Sequence, residues 1–166
     1  MPDIFAVLAE HDIAYERVDH PPVYTCEEAE EKVPPLPGVH TKNLFVRDGK
    51  GRRHFLVVVG WDKQVDLKAL AGVLETSKLG MASPERLQKY LGVEPGAVTL
   101  LGVVNDVDGA VEVVIDAVVW AADQVQSHPL VNTSTVAIGR ADFERLLRAT
   151  GHEPRIVDVP AREGEQ

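Results

Sequence analysis

Two apolar runs separated by a polar turn form the clearest hydrophobic pattern in the chain. The runs read "KNLFVR" at 42–47 and "RHFLVVVG" at 53–60, and the segment between them contains "DGKG". Asp-Gly pairs supply the positive φ angles that a tight turn between antiparallel strands requires. The pattern therefore predicts a β-hairpin.

Helical periodicity and capping residues predict helices on both sides of this hairpin. The predicted helical segments read "PDIFAVLAEHD", "CEEAEEK", "DLKALAGVL", "SPERLQKYLG" and "ADFERLLRATG". Residues suited to helix starts precede three of them: Asp66, Ser83 with Pro84 at the first helical position, and Thr25, which forms a capping box with Glu28. Gly92 ends the fourth segment and is typical of a helix end.

Further strands are predicted from "IAYERV" near the N-terminus and from the stretch between residues 93 and 138. That stretch is rich in Val, Ile and Thr with closely spaced turns, and its apolar runs read "GAVTLLGVVND", "AVEVVID" and "TSTVAI". Helices are grouped between the hairpins instead of alternating with every strand. We therefore expect an α+β fold with a mixed, largely antiparallel sheet flanked by helices. A length of 166 residues suits one domain spanning residues 1–166.

The composition indicates an ordinary globular protein. Hydrophobic residues make up 45% and charged residues 26% of the chain. Its apolar stretches are shorter than the roughly 20 residues that span a bilayer, and acids interrupt the N-terminal apolar run, so we expect a cytoplasmic protein that does not associate with membranes. Cys26 is the only cysteine, which excludes an internal disulfide and a cysteine-based zinc site.

The charge distribution modifies the conclusion from the net charge of −9, which by itself argues against nucleic acid. Residues 42 to 89 hold ten of the 17 basic residues and only five of the 26 acidic ones. Such an asymmetry indicates one anion-binding face on an otherwise acidic protein. A chance cluster of solvated charges is the alternative.

The widespread catalytic motifs are absent from the sequence. We find no phosphate loop, dinucleotide fingerprint, nucleophile elbow or H-E-x-x-H pair. The six histidines are scattered singly, so we expect neither a metal nor a cofactor.

Three quieter features are candidates for a site, and each has a structural alternative. Lys42 opens an apolar strand, where a lysine either holds a phosphate or simply faces solvent. His128 precedes Pro129 and the polar run 132–135, which either recognises a ligand by hydrogen bonds or forms a Thr-rich edge strand. Gly96 lies in "PGAVTL", where glycine either lets backbone N–H groups approach an oxyanion or marks a turn.

Four blocks of the sequence together resemble the YbaK and prolyl-tRNA editing domain family. They are "HPPVYTCEEAE", "KNLFVRDGKGRRHFLVVVGWDKQVDLKALA", "MASPERLQKYLGVEPGAVTLLGVVND" and "HPLVNTSTVAI", in the order and spacing of the family. The resemblance covers about residues 20 to 152 and is strongest to the freestanding ProX-type members. Those members deacylate alanyl-tRNA(Pro), which implies an aminoacyl-tRNA deacylase here.

The resemblance also implies roles for individual residues. Lys42 and Asn43 match the family's site lysine and its neighbour, His128 matches a histidine of the aminoacyl pocket, and Gly96 matches the glycine of a G-x-x-x-P loop beside the scissile carbonyl. Leu100 stands where that loop has proline, which is a departure from the family pattern.

The expected substrate is therefore tRNA(Pro) carrying the wrong amino acid. Asn43, Asn132 and Thr135 are expected to bind the aminoacyl end. Four cations near the hairpin turn are expected to bind the acceptor stem: Arg47, Lys50, Arg52 and Arg53. The sequence leaves open whether the protein associates with prolyl-tRNA synthetase.

Three alternatives remain at this point. These alternatives are a Cys-tRNA(Pro) deacylase, a noncatalytic nucleic-acid-binding module of the same fold, and a protein that binds a small metabolite. Methyl and thiomethyl side chains differ by one sulfur, so pocket shape must separate the first alternative from the alanine-specific enzyme.

Overall fold

The computed structural model describes residues 3–22 and 26–162, except the side chains of residues 26, 29 and 30. The helices within these residues are α1 (Ile4–Glu10), α2 (Cys26–Lys32), α3 (Leu67–Val73), α4 (Pro84–Leu91), α5 (Ala117–Trp120) and α6 (Arg140–Ala149). The strands are β1 (Tyr15–Asp19), β2 (Thr41–Arg47), β3 (His54–Gly60), β4 (Gly80–Met81), β5 (Val111–Asp116), β6 (Gln124–Ser127), β7 (Ser134–Gly139) and β8 (Arg155–Val157).

The strands form two sheets. A three-stranded antiparallel sheet has the order β1-β7-β6, and a five-stranded mixed sheet has the order β4-β2-β3-β5-β8. In the five-stranded sheet, β3 pairs with β5 and β5 with β8 in parallel, while β2 and β3 are antiparallel. The predicted α+β class with mixed and antiparallel β-structure is confirmed, but the strands divide between two sheets.

The main hydrophobic core lies between these two sheets. It combines residues of the five-stranded sheet, the three-stranded sheet and helices α4 and α6, for example Phe45, Leu56, Val136, Leu87 and Phe143. A second cluster covers the opposite face of the five-stranded sheet, where Val57 and Val59 of β3 pack with residues of α3. Because both of its faces are covered, β3 is buried at every position.

The β2–β3 hairpin is confirmed, although its turn differs from the prediction. Pairing runs from Thr41 opposite Gly60 to Arg47 opposite His54. The positive φ of 68° lies at Gly51 instead of at the Asp-Gly pair. Asp48 stabilises the loop because its Oδ1 accepts hydrogen bonds from the amides of Arg52 (2.8 Å) and Arg53 (3.1 Å).

Local capping chemistry explains where α3 and α4 begin and end. Asp66 Oδ1 accepts from the Ala69 amide at 3.0 Å, and Ser83 Oγ accepts from the Arg86 amide at 3.2 Å. Gly92 ends α4 with φ 66°. The capping box predicted from Thr25 lies outside the described residues, although the helix that follows it is present.

The segment "GAVTLLGVVND" is not a strand, which corrects the sequence prediction. It forms two 3₁₀ turns, Pro95–Ala97 and Leu100–Asn105. The apolar side chains that indicated a strand instead enter the main core, where Leu100 and Leu101 are almost completely buried. A β-carbon on Gly102 would lie 3.1 Å from that of Leu91, so glycine lets this segment pack closely on α4.

Candidate active site

His128 lies directly after β6, in the turn that leads to β7. Its Nδ1 is 3.0 Å from the carbonyl oxygen of Ser134 at the start of β7. A carbonyl oxygen only accepts hydrogen bonds, so Nδ1 carries the proton. Leu130 helps to close the turn with φ 67°. The neutral ring therefore keeps a lone pair on Nε2.

The surroundings of His128 keep its imidazole neutral. Burial lowers the pKa of His128 below its ordinary value of 6.5, and the neighbouring His20 lowers it further. The hydrogen bond to the Ser134 carbonyl opposes this shift without cancelling it. At pH 7 the site therefore contains an uncharged hydrogen-bond acceptor.

His20 lies beside His128 and was not among the predicted site residues. The two ring centroids are 6.4 Å apart. His20 Nδ1 donates to the Pro21 carbonyl at 2.8 Å, and its Nε2 is 2.8 Å from Thr135 Oγ1. Both histidines precede a proline in the sequence, and this shared His-Pro pair was the signal available to find the second one.

The polar run 132–135 divides between the turn and the strand. Thr135 is buried in β7, and its hydroxyl bonds to His20. Asn132 lies in the preceding turn and is half-buried. The strand is central in its sheet, with β1 and β6 on its two sides, so the alternative of an edge strand is wrong.

Thr99 connects the Gly96 loop to His128. Gly96 lies in the first 3₁₀ turn, and Thr99, three residues further, is completely buried. The Thr99 hydroxyl is 2.7 Å from Ser127 Oγ and donates to the His128 carbonyl at 2.6 Å. Leu100, the departure from the family motif, is buried in the core and begins the second 3₁₀ turn. Thr99 was not among the predicted site residues.

Lys42 and Asn43 lie at the start of β2, close to the end of β6. Thr41, next to them, donates its hydroxyl to the Gln126 carbonyl at 2.8 Å, two residues before His128. Side chains alternate along a strand, so Asn43 shares the face of core residue Phe45, and Lys42 points to the opposite face.

Asn43 Oδ1 and the Lys42 ammonium lack partners among the described residues. Asn43 Oδ1 is buried and has no hydrogen-bond partner within residues 3–22 and 26–162. In the same part of the chain, the Lys42 ammonium makes no ion pair. No hydrogen bond there joins Lys42 to His128 directly.

The four predicted RNA-binding cations have different surroundings. Arg47 and Lys50 line an open cleft at the hairpin turn, and Arg52 is exposed beside it. Arg53 instead forms a bidentate ion pair with Glu112, with N–O distances of 2.9 and 2.8 Å, which reduces the charge it offers to RNA. Arg86, which the sequence analysis did not identify, lines the same cleft.

The described segments contain neither a cluster suited to a metal nor a helix suited to a membrane. No group of three or more His, Cys, Asp or Glu side chains in them is arranged as metal ligands would be. None of their helices is long and apolar enough to cross a membrane.

Comparison with known proteins identifies the class to which this fold and site belong. The family model described as the aminoacyl-tRNA editing domain matches residues 20–146, a range that includes His20, Lys42, Gly96 and His128. The chain belongs to the aminoacyl-tRNA editing domain family, which confirms the resemblance and the expected class of editing enzyme.

Two relatives and one solved structure show how far the similarity extends. The chain is 40% identical to the prolyl-tRNA editing protein ProX of Acetoanaerobium sticklandii over 94% of this chain and 95% of the relative. It is 35% identical to the prolyl-tRNA synthetase associated domain-containing protein 1 of Mus musculus over 88% of each protein. A crystal structure of a candidate trans-editing enzyme for prolyl tRNA synthetase superposes with a TM-score of 0.68 at 18% identity, over 98% of this chain and 99% of the other.

Proposed function

We propose that this protein hydrolyses the ester of alanine mistakenly attached to tRNA(Pro). The observation that carries the proposal is the 40% identity to a prolyl-tRNA editing protein along nearly the whole of both chains. Such an enzyme acts where tRNAs are charged, so we expect this protein in the cytoplasm. We also expect residues 1–166 to form a single domain. An association with prolyl-tRNA synthetase remains a prediction.

In the proposed reaction, a water oxygen attacks the carbonyl carbon of the ester. The carbon becomes tetrahedral and its former carbonyl oxygen carries a negative charge; the bond to the ribose oxygen then breaks, and that oxygen takes up the proton that the attacking water loses. The products are free alanine and tRNA with a 3′-terminal hydroxyl. An aminoacyl ester is already activated, so positioning of water and oxyanion stabilisation by backbone donors suffice without a nucleophilic side chain.

His128 contributes the wall of the aminoacyl pocket in this proposal. Its Nδ1 proton is committed to Ser134, and burial keeps the ring neutral, so Nε2 offers a lone pair to the aminoacyl group. His20 and Thr135 restrict the position of this wall through their own hydrogen bond. An uncharged acceptor binds the ammonium group of an amino acid without paying the desolvation cost of a second buried charge.

Lys42 and Gly96 supply the charge stabilisation. The Lys42 ammonium, which has no ion pair in the described segments, binds the terminal phosphate or ribose, and the backbone near Gly96 donates to the oxyanion. Thr99 fixes the Gly96 loop relative to His128. Asn43 and Asn132 complete the polar contacts with the substrate; the unpaired Oδ1 of Asn43 is consistent with this role.

Hydrolysis assays with tRNA(Pro) charged with alanine, cysteine or proline test the proposal. We expect fast release of alanine, slower release of cysteine and no release of proline. Faster release of cysteine would assign the protein to cysteine editing. Binding of tRNA without release of any of the three amino acids would make it a noncatalytic module.

A further inference from the structure

The two halves of the candidate active site belong to different sheets. Lys42 and Asn43 lie on β2 of the five-stranded sheet, whereas His128 follows β6 of the three-stranded sheet. The substrate joins its aminoacyl group and its terminal phosphate through one ribose, so the distance between Lys42 and His128 must match the substrate. At this edge of the molecule, residues 36–41, the loop that leads into β2, lie against β6 and connect the two sheets.

The loop is attached to β6 through backbone hydrogen bonds. The Val39 amide donates to the Gln124 carbonyl at 3.0 Å, and the Gln126 amide donates to the Val39 carbonyl at 3.1 Å. These two bonds form a parallel β-bridge between the loop and the strand. The Thr41 hydroxyl adds a bond of 2.8 Å to the Gln126 carbonyl. The loop therefore follows the position of β6.

The side chain of Gln126 holds the same loop by a second set of contacts. It is only 4% exposed, and it points away from the main core because its neighbour Val125 faces that core. Its Nε2 donates to the Leu36 carbonyl at 2.8 Å and lies 3.3 and 3.4 Å from the carbonyl oxygens of Pro37 and Gly38. Carbonyl oxygens only accept hydrogen bonds, so this buried position requires a donor such as the amide of glutamine.

Gly38 lets the loop approach β6 closely. It has a φ of 102°, and a β-carbon on it would lie 3.0 Å from the carbonyl carbon and oxygen of Gln124. Val39 follows directly, and Lys42 is three residues further along the chain. A displacement of the loop from β6 would therefore move the start of β2 and, with it, the ammonium group of Lys42.

We propose that Gln126 is a positioning residue for the hydrolysis: by fixing residues 36–39 to β6, it sets the distance between Lys42 and His128. Gln126 acts through Lys42 without touching the substrate, and this role rests on the proposed function. His128 is two residues after Gln126 in the chain, so the same short segment holds both the loop and the wall of the aminoacyl pocket. A misplacement of about 1 Å away from the reacting atoms can reduce a rate about a hundredfold.

A double-mutant cycle between Gln126 and Lys42 tests this role. Gln126→Met nearly keeps the length of the side chain and removes its amide donor. We expect it to lower kcat for Ala-tRNA(Pro) roughly tenfold with a smaller change in KM, because both groups remain but no longer act together on the substrate. In the Lys42→Ala background, the same substitution should lower kcat by less than about twofold, because no lysine is left to position.

Gln124→Met is the matched control. Gln124 is the same type of residue on the same face of β6, and its Oε1 has no hydrogen-bond partner in the described part of the chain. This substitution should leave kcat unchanged. A wild-type kcat in Gln126→Met, or equal fold losses with and without Lys42, would overturn the proposal. If Gln126→Met does not fold, Thr41→Val removes one bond of the same junction, and its loss of kcat should likewise disappear in the Lys42→Ala background.

Hydrogen exchange of the Val39 and Gln126 amides tests the fixation of the loop without any substrate. Both amides should exchange faster in Gln126→Met than in Gln124→Met, because the loop opens more often. Equal exchange in the two variants would overturn the proposal even if Gln126→Met lost activity. If the wild-type protein released no alanine, the proposed function would fail, and the exchange rates would still decide whether Gln126 fixes the loop.

Discussion

The two ends of β2 differ in charge and in exposure to solvent. At the Thr41 end, the candidate active site combines the half-buried, uncharged His128 with the ammonium group of Lys42. At the Arg47 end, the cleft is open and its cations have no carboxylate partner in the described residues. A reacting ester needs fixed dipoles in a dry pocket, whereas a phosphate backbone needs accessible charge. One rigid strand holds the two environments at a fixed distance.

Replacement of Lys42 should have the largest effect on the active-site end. We expect Lys42→Ala to reduce kcat/KM for Ala-tRNA(Pro) by about a hundredfold, because a group that stabilises charge in the reaction is lost. The melting temperature should hardly change, since Lys42 makes no ion pair within the described segments. Lys68→Ala, an exposed lysine on α3, is the control. If Lys42→Ala lowered the activity and the melting temperature together, Lys42 would have a structural role instead.

Replacement of His128 should have a smaller effect and change selectivity. We expect His128→Ala to lower kcat/KM for alanine release roughly tenfold, the order of one hydrogen bond to a charged group. Neighbouring side chains partly replace a pocket wall, so activity should not vanish. The ratio of alanine to cysteine release is the decisive measurement, and an unchanged rate together with an unchanged ratio would exclude His128 from the site.

Replacement of Thr99 tests the connection between the Gly96 loop and His128. Thr99→Val keeps the shape but leaves the buried Ser127 hydroxyl and the His128 carbonyl without this partner. We expect a loss of about 1–3 kcal/mol in the free energy of unfolding, measured by denaturant titration. Thr133→Val, at an exposed threonine, is the matched control. Equal stability of the two variants would show that the Thr99 bonds contribute nothing.

The smallest effect concerns pH. Because the pKa of His128 is lowered in the folded protein, kcat/KM should stay constant as pH falls to the ordinary value of 6.5 and decline only below it.

The lowered pKa of His128 also affects stability. The unfolded chain binds the proton first, so the free energy of unfolding decreases as pH falls below 6.5. His128→Gln should flatten this decrease, while His54, whose pKa is also lowered by burial, contributes equally in both proteins. Identical pH dependence of stability would contradict a buried neutral His128.

Local chemistry was enough to predict the pairing of β2 with β3, the start of α3 and both ends of α4. Asp66, Ser83 and Gly92 act through hydrogen bonds or backbone angles within their own helices, and the structure confirms each. The segment after Gly92 was predicted wrongly, because apolar residues buried on all sides, such as Leu100, have the same sequence pattern as a strand. The segment forms 3₁₀ turns instead of a strand because of where the second sheet and α4 lie, which the local sequence does not determine.

The candidate site also contains some residues that the sequence could identify and others that it could not. Lys42 and His128 could be named from the sequence because they resemble family motifs. Thr99 and Arg86 could not, since Thr99 acts on a residue 29 positions away and Arg86 on a loop 35 positions away. Such contacts depend on which elements the fold brings together, which is not visible in local periodicity.

A crystal structure with a nonhydrolysable 3′-alanylamido analogue of the tRNA end tests the central claim most directly. We predict that the alanyl group packs against His128, that its carbonyl oxygen faces the backbone near Gly96, and that the adenosine phosphate approaches Lys42. An analogue bound with its alanyl group away from both His128 and Gly96 would contradict this assignment of the active site.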